Sequence, residues 1–181
     1  MTPARTATAA VTTVEGAIAF TDIVGFTEFT AMRGDEAALD LLARQDRVVH
    51  QAIAGQGRIV KNLGDGLMLW FDDPCAAVRS SLALQERLEK ESITDDLPLW
   101  VRIGIHFGRP ARRGQDLIGH DVNVAARIVA LAAPGEVLVS EACTGRVADQ
   151  VPGIYFEEIG PTVMKGIPDP IALYRAVSLD V

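Results

Sequence analysis

Two rhythms of apolar residues alternate along this chain: short runs bounded by glycine or proline, and longer stretches in which apolar side chains recur every three or four positions. Gly16 to Asp22 is a β-compatible run, apolar from Ala17 to Phe20, the pattern of a buried strand. Phe26 to Arg33 begins a helix and Gly34-Asp35 breaks it. Leu39, Leu42, Val49 and Ile53 then recur at helical offsets, predicting an amphipathic helix over 35–54 that Gly55 and Gly57 stop. Arg58 to Leu63 and Leu67 to Phe71 flank Gly64-Asp65-Gly66, a hairpin signal because glycine tolerates the positive φ of tight turns. Asp73 and Pro74 open a helix to about Lys90, with Val78, Leu82, Leu84 and Leu88 on its apolar face. Thr94 to Pro98 reads as a polar connection.

Leu99 to Phe107 is the next strand, and its alternation puts Trp100, Arg102, Gly104 and His106 on one side. Gly108 to Gly119 is a basic, glycine-containing excursion. Asp121 to Ala132 reads as a helix ended by Pro134-Gly135. A short strand at Glu136 to Val139 and a helix from Glu141 to Asp149 follow. Tyr155 to Ile159 and Ile171 to Val177 are closing strands, separated by a Gly/Pro-punctuated loop that carries Lys165. This order predicts an α+β sheet with helices packed on one face, rather than a doubly wound alternation.

At 181 residues the chain fits one ordinary domain, and its 49% hydrophobic share is that of a globular protein. No apolar segment approaches the ~20 residues that span a bilayer, so no membrane partner is expected. A net charge of −7 argues against broad nucleic-acid binding. Cys75 and Cys143 lack metal-ligand spacing and read as reduced structural thiols; His50, His106 and His120 are scattered and read as structural. Residues 1–14, rich in Ala and Thr, are expected to be a mobile leader or linker remnant before a domain over 15–181. They lack a secretory apolar stretch, which points to a cytoplasmic protein.

Candidate chemistry gathers where strands end. Asp22 closes an apolar run just before the glycine turn of Ile23-Val24-Gly25-Phe26-Thr27, where a helix start leaves backbone amides unpaired. Asp65 sits in the hairpin turn. Two carboxylates about 4 Å apart repel by roughly 4 kcal/mol at an effective dielectric of 20, which a divalent cation between them reverses. Taken singly, Asp65 also reads as a turn-former and Asp22 as a helix-approach residue. Asn123 and Arg127 stand four residues apart and share a helix face. They suit a ribose or phosphate oxygen and a phosphorane charge, or equally a solvated surface pair.

Taken together, four stretches resemble the class III adenylyl cyclase catalytic domain over about residues 15–177. They are Phe-Thr-Asp22-Ile-Val-Gly-Phe-Thr, Lys61-Asn-Leu-Gly-Asp65-Gly, Arg102-Ile-Gly-Ile-His106-Phe-Gly, and Asp116-Leu-Ile-Gly-His-Asp-Val-Asn123-Val-Ala-Ala-Arg127. The resemblance implies a ferredoxin-like α+β core and conversion of ATP to 3′,5′-cyclic AMP and pyrophosphate. It implies that Asp22 and Asp65 hold two divalent cations, Mg2+ or Mn2+, and that Lys61 and Asp116 read the adenine edge. Asn123 would orient the ribose and Arg127 would stabilise the transition state. Arg102, Lys165 and the backbone of Ile23, Val24, Gly25, Phe26 and Thr27 would contact the triphosphate. A head-to-tail homodimer with shared sites is implied too: Asp22, Asp65 and Arg102 from one protomer would face Lys61, Asp116, Asn123, Arg127 and Lys165 of the other. A guanylyl cyclase and a nucleotide-binding module without turnover are the alternative readings. Asp116, which can accept from the adenine amine, disfavours guanine.

Overall fold

The computed structural model describes residues 12–94 and 99–179. Strands β1 (Thr12–Thr13) and β2 (Gly16–Ile23) lead to helix α1 (Phe26–Ile53), the hairpin β3 (Arg58–Asn62) and β4 (Gly66–Phe71), and helix α2 (Pro74–Thr94). Then come β5 (Val101–Gly108), β6 (Ala111–Arg113), β7 (Asp116–Ile118), α3 (His120–Leu131), β8 (Val137–Ser140), α4 (Glu141–Val147), β9 (Ile154–Thr162) and β10 (Ile171–Ser178). One sheet runs β3-β4-β2-β5-β8-β10-β9, and a smaller one runs β1-β6-β7.

The segment from β2 to β5 is a β-α-β-β-α-β unit with strand order β3-β4-β2-β5 and antiparallel pairing throughout, the ferredoxin-like core expected. β8 then joins β5 in parallel, which requires a crossover, and α3 supplies it. Helices α1, α2 and α4 bury Ala17, Ala19, Ile103, Ile105 and Val139 on one face of the sheet. The expectation of helices on one face holds for these three. α3 covers the opposite face, where Ala125 and Val129 meet Ile18, Phe20, Met68 and Trp70. Cover on both faces is why β2 reads as a continuous apolar run rather than an alternating one. Any Cβ at Gly104 would collide with the backbone of Ile128 and Val129, so glycine there lets α3 lie directly on β5.

Three expectations change. The helix break at Gly34 is present as a kink (φ 84°, ψ 172°) inside α1, but the buried side of the helix is Ala38, Leu41, Gln45, Val48, Val49 and Ile53. Leu39 is 65% exposed. It lies one position off this seam, which the small Ala38 and the polar Gln45 conceal from a hydrophobic count. Gln45 is accommodated because its amide lies 3.4 Å from the Thr21 hydroxyl, which in turn accepts the Leu67 N–H at 3.1 Å. Secondly, the expected leader contains ordered backbone: Thr12 and Thr13 pair with Arg112 and Ala111. Its residues 1–11 lie outside the described residues, as do residues 95–98 of the polar connection. Thirdly, the basic excursion is the β6–β7 hairpin, tied to β1 on one side.

Candidate active site

Strand β2 delivers its final carboxylate between two neighbours, with Asp22 opposite Gly66 on β4 and Arg102 on β5. By alternation Asp22 shares the α3-facing side of β2 with Ile18 and Phe20. Beyond it, the Ile23 N–H donates to the Asp65 carbonyl at 3.0 Å, placing the hairpin turn beside the strand end. That turn is shaped by its own sequence: the Asn62 side chain accepts the Gly64 N–H at 2.9 Å, and Leu63 donates to Gly66 at 2.9 Å. The two acidic residues of the proposed pair are therefore neighbours across a strand junction 43 positions apart in the chain.

Arg102 occupies this junction. Its guanidinium donates to Asp22 at 2.6 Å and to the Ala130 carbonyl of α3 at 3.3 Å. The side chain expected to reach a triphosphate here bridges the strand-end acid and the last turn of α3. Both partners are partly exposed, so solvent weakens the pair and leaves it open to competition.

The glycine turn narrows the set of free amides. Ile23 and Val24 were expected to offer N–H groups to phosphate, but Ile23 donates to Asp65 and Val24 to the Trp100 carbonyl at 2.9 Å. Antiparallel neighbours on both sides of β2 consume them. Gly25 (φ 71°) turns the chain into α1, and the first helical bond inside α1 runs from Phe29 N–H to the Gly25 carbonyl. No side chain caps this end. The N–H groups of Phe26 and Thr27, in the first turn, thus lack helical acceptors and face the same end of the sheet as Asp22.

A second group lies along α3 and the elements beside it. The Lys61 ammonium, on β3, donates to the Asp116 carboxylate on β7 at 2.7 Å. Asp116 also accepts the Leu117 N–H at 2.9 Å. The Lys61 hydrogen bond holds the Asp116 carboxyl below the usual carboxylate range. Asn123 and Arg127 both project from the exposed side of α3, whose opposite side buries Val124, Ala125, Ile128 and Val129. Lys165 is exposed in the β9–β10 loop, next to Met164, which packs with Ile167 against Val124 and Ile128 of the same helix. Among the described residues, no side-chain hydrogen bond or ion pair joins Asp22, Asp65 or Arg102 to Lys61, Asp116, Asn123, Arg127 or Lys165.

Whether the acids suit a metal follows from the donor set. Asp22 lies at the end of β2 and Asp65 in the adjoining β3–β4 turn, and no cluster of three or more His, Cys, Asp or Glu side chains exists among the described residues. Such a pair cannot fill six oxygen positions alone. It suits a hard, octahedral cation that keeps waters and takes its other ligands from substrate phosphates. As oxygen donors the two acids are chemically compatible with a hard divalent cation such as Mg2+ or Mn2+.

One residue carries more than its sequence position suggested. Asp121, the first residue of the predicted helix, accepts the Arg109 N–H at 2.6 Å and lies 3.5 Å from His106 Nε2. The signal was available in Gly108, whose missing side chain makes room for the carboxylate.

Comparison with known proteins agrees with this fold. Residues 9–176 match the family described as the adenylate and guanylate cyclase catalytic domain. The chain is 30% identical over 160 residues to a pH-sensitive adenylate cyclase of Mycobacterium tuberculosis (strain CDC 1551 / Oshkosh), covering 87% of this chain and 39% of that protein. In structure it is similar to the adenylate/guanylate cyclase/hydrolase from Silicibacter pomeroyi, with TM-score 0.80, 31% identity, and coverage of 93% of this chain and 99% of that one. The adenylyl cyclase CyaB from P. aeruginosa superposes with TM-score 0.81 at 26% identity, covering 93% and 96% respectively. A family match over residues 9–176, together with a shared fold across nearly the whole chain, settles the family. The chain belongs to the adenylate and guanylate cyclase catalytic domains.

Proposed function

We propose that this domain converts ATP to 3′,5′-cyclic AMP and pyrophosphate, at sites shared between two copies of the chain. The observation that carries the choice of base is the Lys61–Asp116 pair, a donor and an acceptor 2.7 Å apart on separate strands. Adenine offers an amine donor beside a ring-nitrogen acceptor, and this pair answers each with its opposite. Guanine reverses the order, presenting its O6 acceptor where the amine would be. A buried mismatch costs about 1–3 kcal/mol, so a preference for ATP of about 10- to 100-fold is expected. Because Lys61 keeps the Asp116 carboxyl ionised, the acceptor persists across the neutral range.

The residues divide the remaining work. Asp22 and Asp65 hold the divalent cations together with the triphosphate, and the free N–H groups at the start of α1 take phosphate oxygens. When bound, the cations supply a lowered pKa at the ribose 3′-hydroxyl and neutralise the leaving pyrophosphate. Asn123 orients the ribose. Arg127 meets the charge that grows on the α-phosphoryl oxygens, a contact stronger in the transition state than in the ground state. Arg102 turns from Asp22 toward the triphosphate, which Lys165 also neutralises. Since Asn123, Arg127 and Lys165 are exposed and, among the described residues, form no side-chain hydrogen bond or ion pair with the acids, a second copy completing each site is the economical arrangement.

The test is turnover with Mn2+ and equal concentrations of ATP and GTP. Cyclic AMP as the main product, with Lys61 and Asp116 substitutions eroding the preference, supports the reading. Predominant cyclic GMP would replace it with a guanylyl cyclase. No turnover with either nucleotide, alongside measurable nucleotide binding, would leave a binding module.

A further inference from the structure

Asp121 spans a junction that the proposed chemistry does not use. One carboxylate oxygen accepts the backbone N–H of Arg109 at 2.6 Å, just past the end of β5. The other lies 3.5 Å from Nε2 of His106, a buried ring whose Nδ1 is 2.8 Å from the hydroxyl of Ser140, itself fully buried on β8. A side chain at Gly108 would collide with this carboxylate. Glycine there therefore lets the acid reach the backbone beyond it. The Asp121 carboxylate thus joins α3 to the end of β5, and His106 carries the connection on to β8.

The position of that side chain along α3 gives the contact its meaning. Along its packed length the helix has two close approaches to β5, Asp121 at the strand's end and Ile128-Val129 over Gly104. Seven residues of helix separate them, about 10 Å of rise. Asn123 and Arg127 project outward between these points. Without Asp121 the first turn of α3 would keep its apolar packing but lose its polar tie to the backbone past β5, two residues before Asn123. Resting on the cyclase reading above, we infer that Asp121 is a positioning residue. By clamping the first turn of α3 to the end of β5 it sets where Asn123 and Arg127 stand in the transition state. It touches no substrate and holds no phosphate; it acts through the helix.

The acceptor role separates this from general stability. Asn at this position keeps an oxygen for the Arg109 N–H, whereas Ala leaves that donor without its partner. In steady-state assays Asp121→Ala should lower kcat about 10- to 100-fold, as expected when a reacting group is misplaced by about 1 Å. KM for ATP should stay within about 3-fold. Asp121→Asn should return kcat to within about 3-fold of the parent. Hydrogen exchange gives a second readout: Asp121→Ala should speed exchange at Arg109 and in the first turns of α3 but not in β2. If the alanine variant does not fold, Asp121→Ser, too short to span both partners, takes its place with the same expectations. A kcat within about 2-fold in the alanine or serine variant would overturn the inference. So would a loss of kcat and KM in step with a general fall in Tm, or an asparagine variant as impaired as alanine. If the parent protein turns over neither nucleotide, the cyclase reading fails, and unchanged exchange over α3 would then overturn the clamp separately.

Discussion

Arg102 answers to two partners, Asp22 and the Ala130 carbonyl, and any cation that takes Asp22 must compete with its guanidinium. Exposed pairs of this kind contribute up to about 1 kcal/mol, so the competition should be modest. Arg102→Ala should therefore tighten Mn2+ binding by up to about 5-fold, read as loss of the free-ion paramagnetic signal, while weakening ATP binding. Unchanged metal affinity would mean that the pair does not guard the acid. A second residue-scale prediction concerns His106. Burial pushes its imidazole below the ordinary value of about 6.5, and the neighbouring Asp121 carboxylate only partly opposes this. The unfolded chain thus takes up the proton at higher pH than the folded protein does. The contribution is complete above about pH 6.5 and declines as pH falls from there toward the depressed value. His106→Asn should flatten the dependence of Tm on pH between about 7.5 and 5.5, and a slope equal to the parent's would exclude His106 as its source.

At the scale of elements, α1 offers the sharpest test because its buried side differs from the one its leucines suggest. Leu41 is buried and Leu39 is not. Leu41→Ala should cost about 2–5 kcal/mol in urea unfolding, whereas Leu39→Ala should stay within about 0.5 kcal/mol. Equal effects would contradict the seam described here. The same helix explains what could be read beforehand. The glycine breaks, the β3–β4 turn and the strand rhythm are local properties, written in adjacent residues. The buried side of α1 is not local: it depends on Gln45 finding the Thr21 hydroxyl on another element. Likewise, periodicity reveals that α3 has an apolar stripe but not which sheet face receives it; the parallel β5–β8 pairing determines that. The site divides the same way. The motifs single out Asp22, Asp65, Asn123 and Arg127, and the elements that carry them, a strand end, a hairpin turn and a helix, were legible beforehand. The engagement of the Ile23 and Val24 amides was not, because both acceptors, Asp65 and Trp100, lie far away in the chain.

For the whole molecule, no side-chain hydrogen bond or ion pair among the described residues joins the two groups of polar residues. Asp22, Asp65 and Arg102 gather at the end of β2; Asn123, Arg127 and Lys165 occupy or border the outward surface of α3. Such a division is expected when one protomer's acids serve the other's helix. It also makes a prediction that no single-chain site could satisfy. Asp65→Ala and Arg127→Ala should each be inactive alone, since every site in either homodimer lacks one part. Mixed after reassembly, half of the dimers pair unlike chains, and each of these holds one intact site. Mixing purified Asp65→Ala and Arg127→Ala proteins and measuring cyclic AMP formation from ATP with Mn2+ is the most direct test. This account predicts recovery of about a quarter of the parent rate. A mixture as inactive as its components, under conditions where unlike chains demonstrably pair, would contradict it.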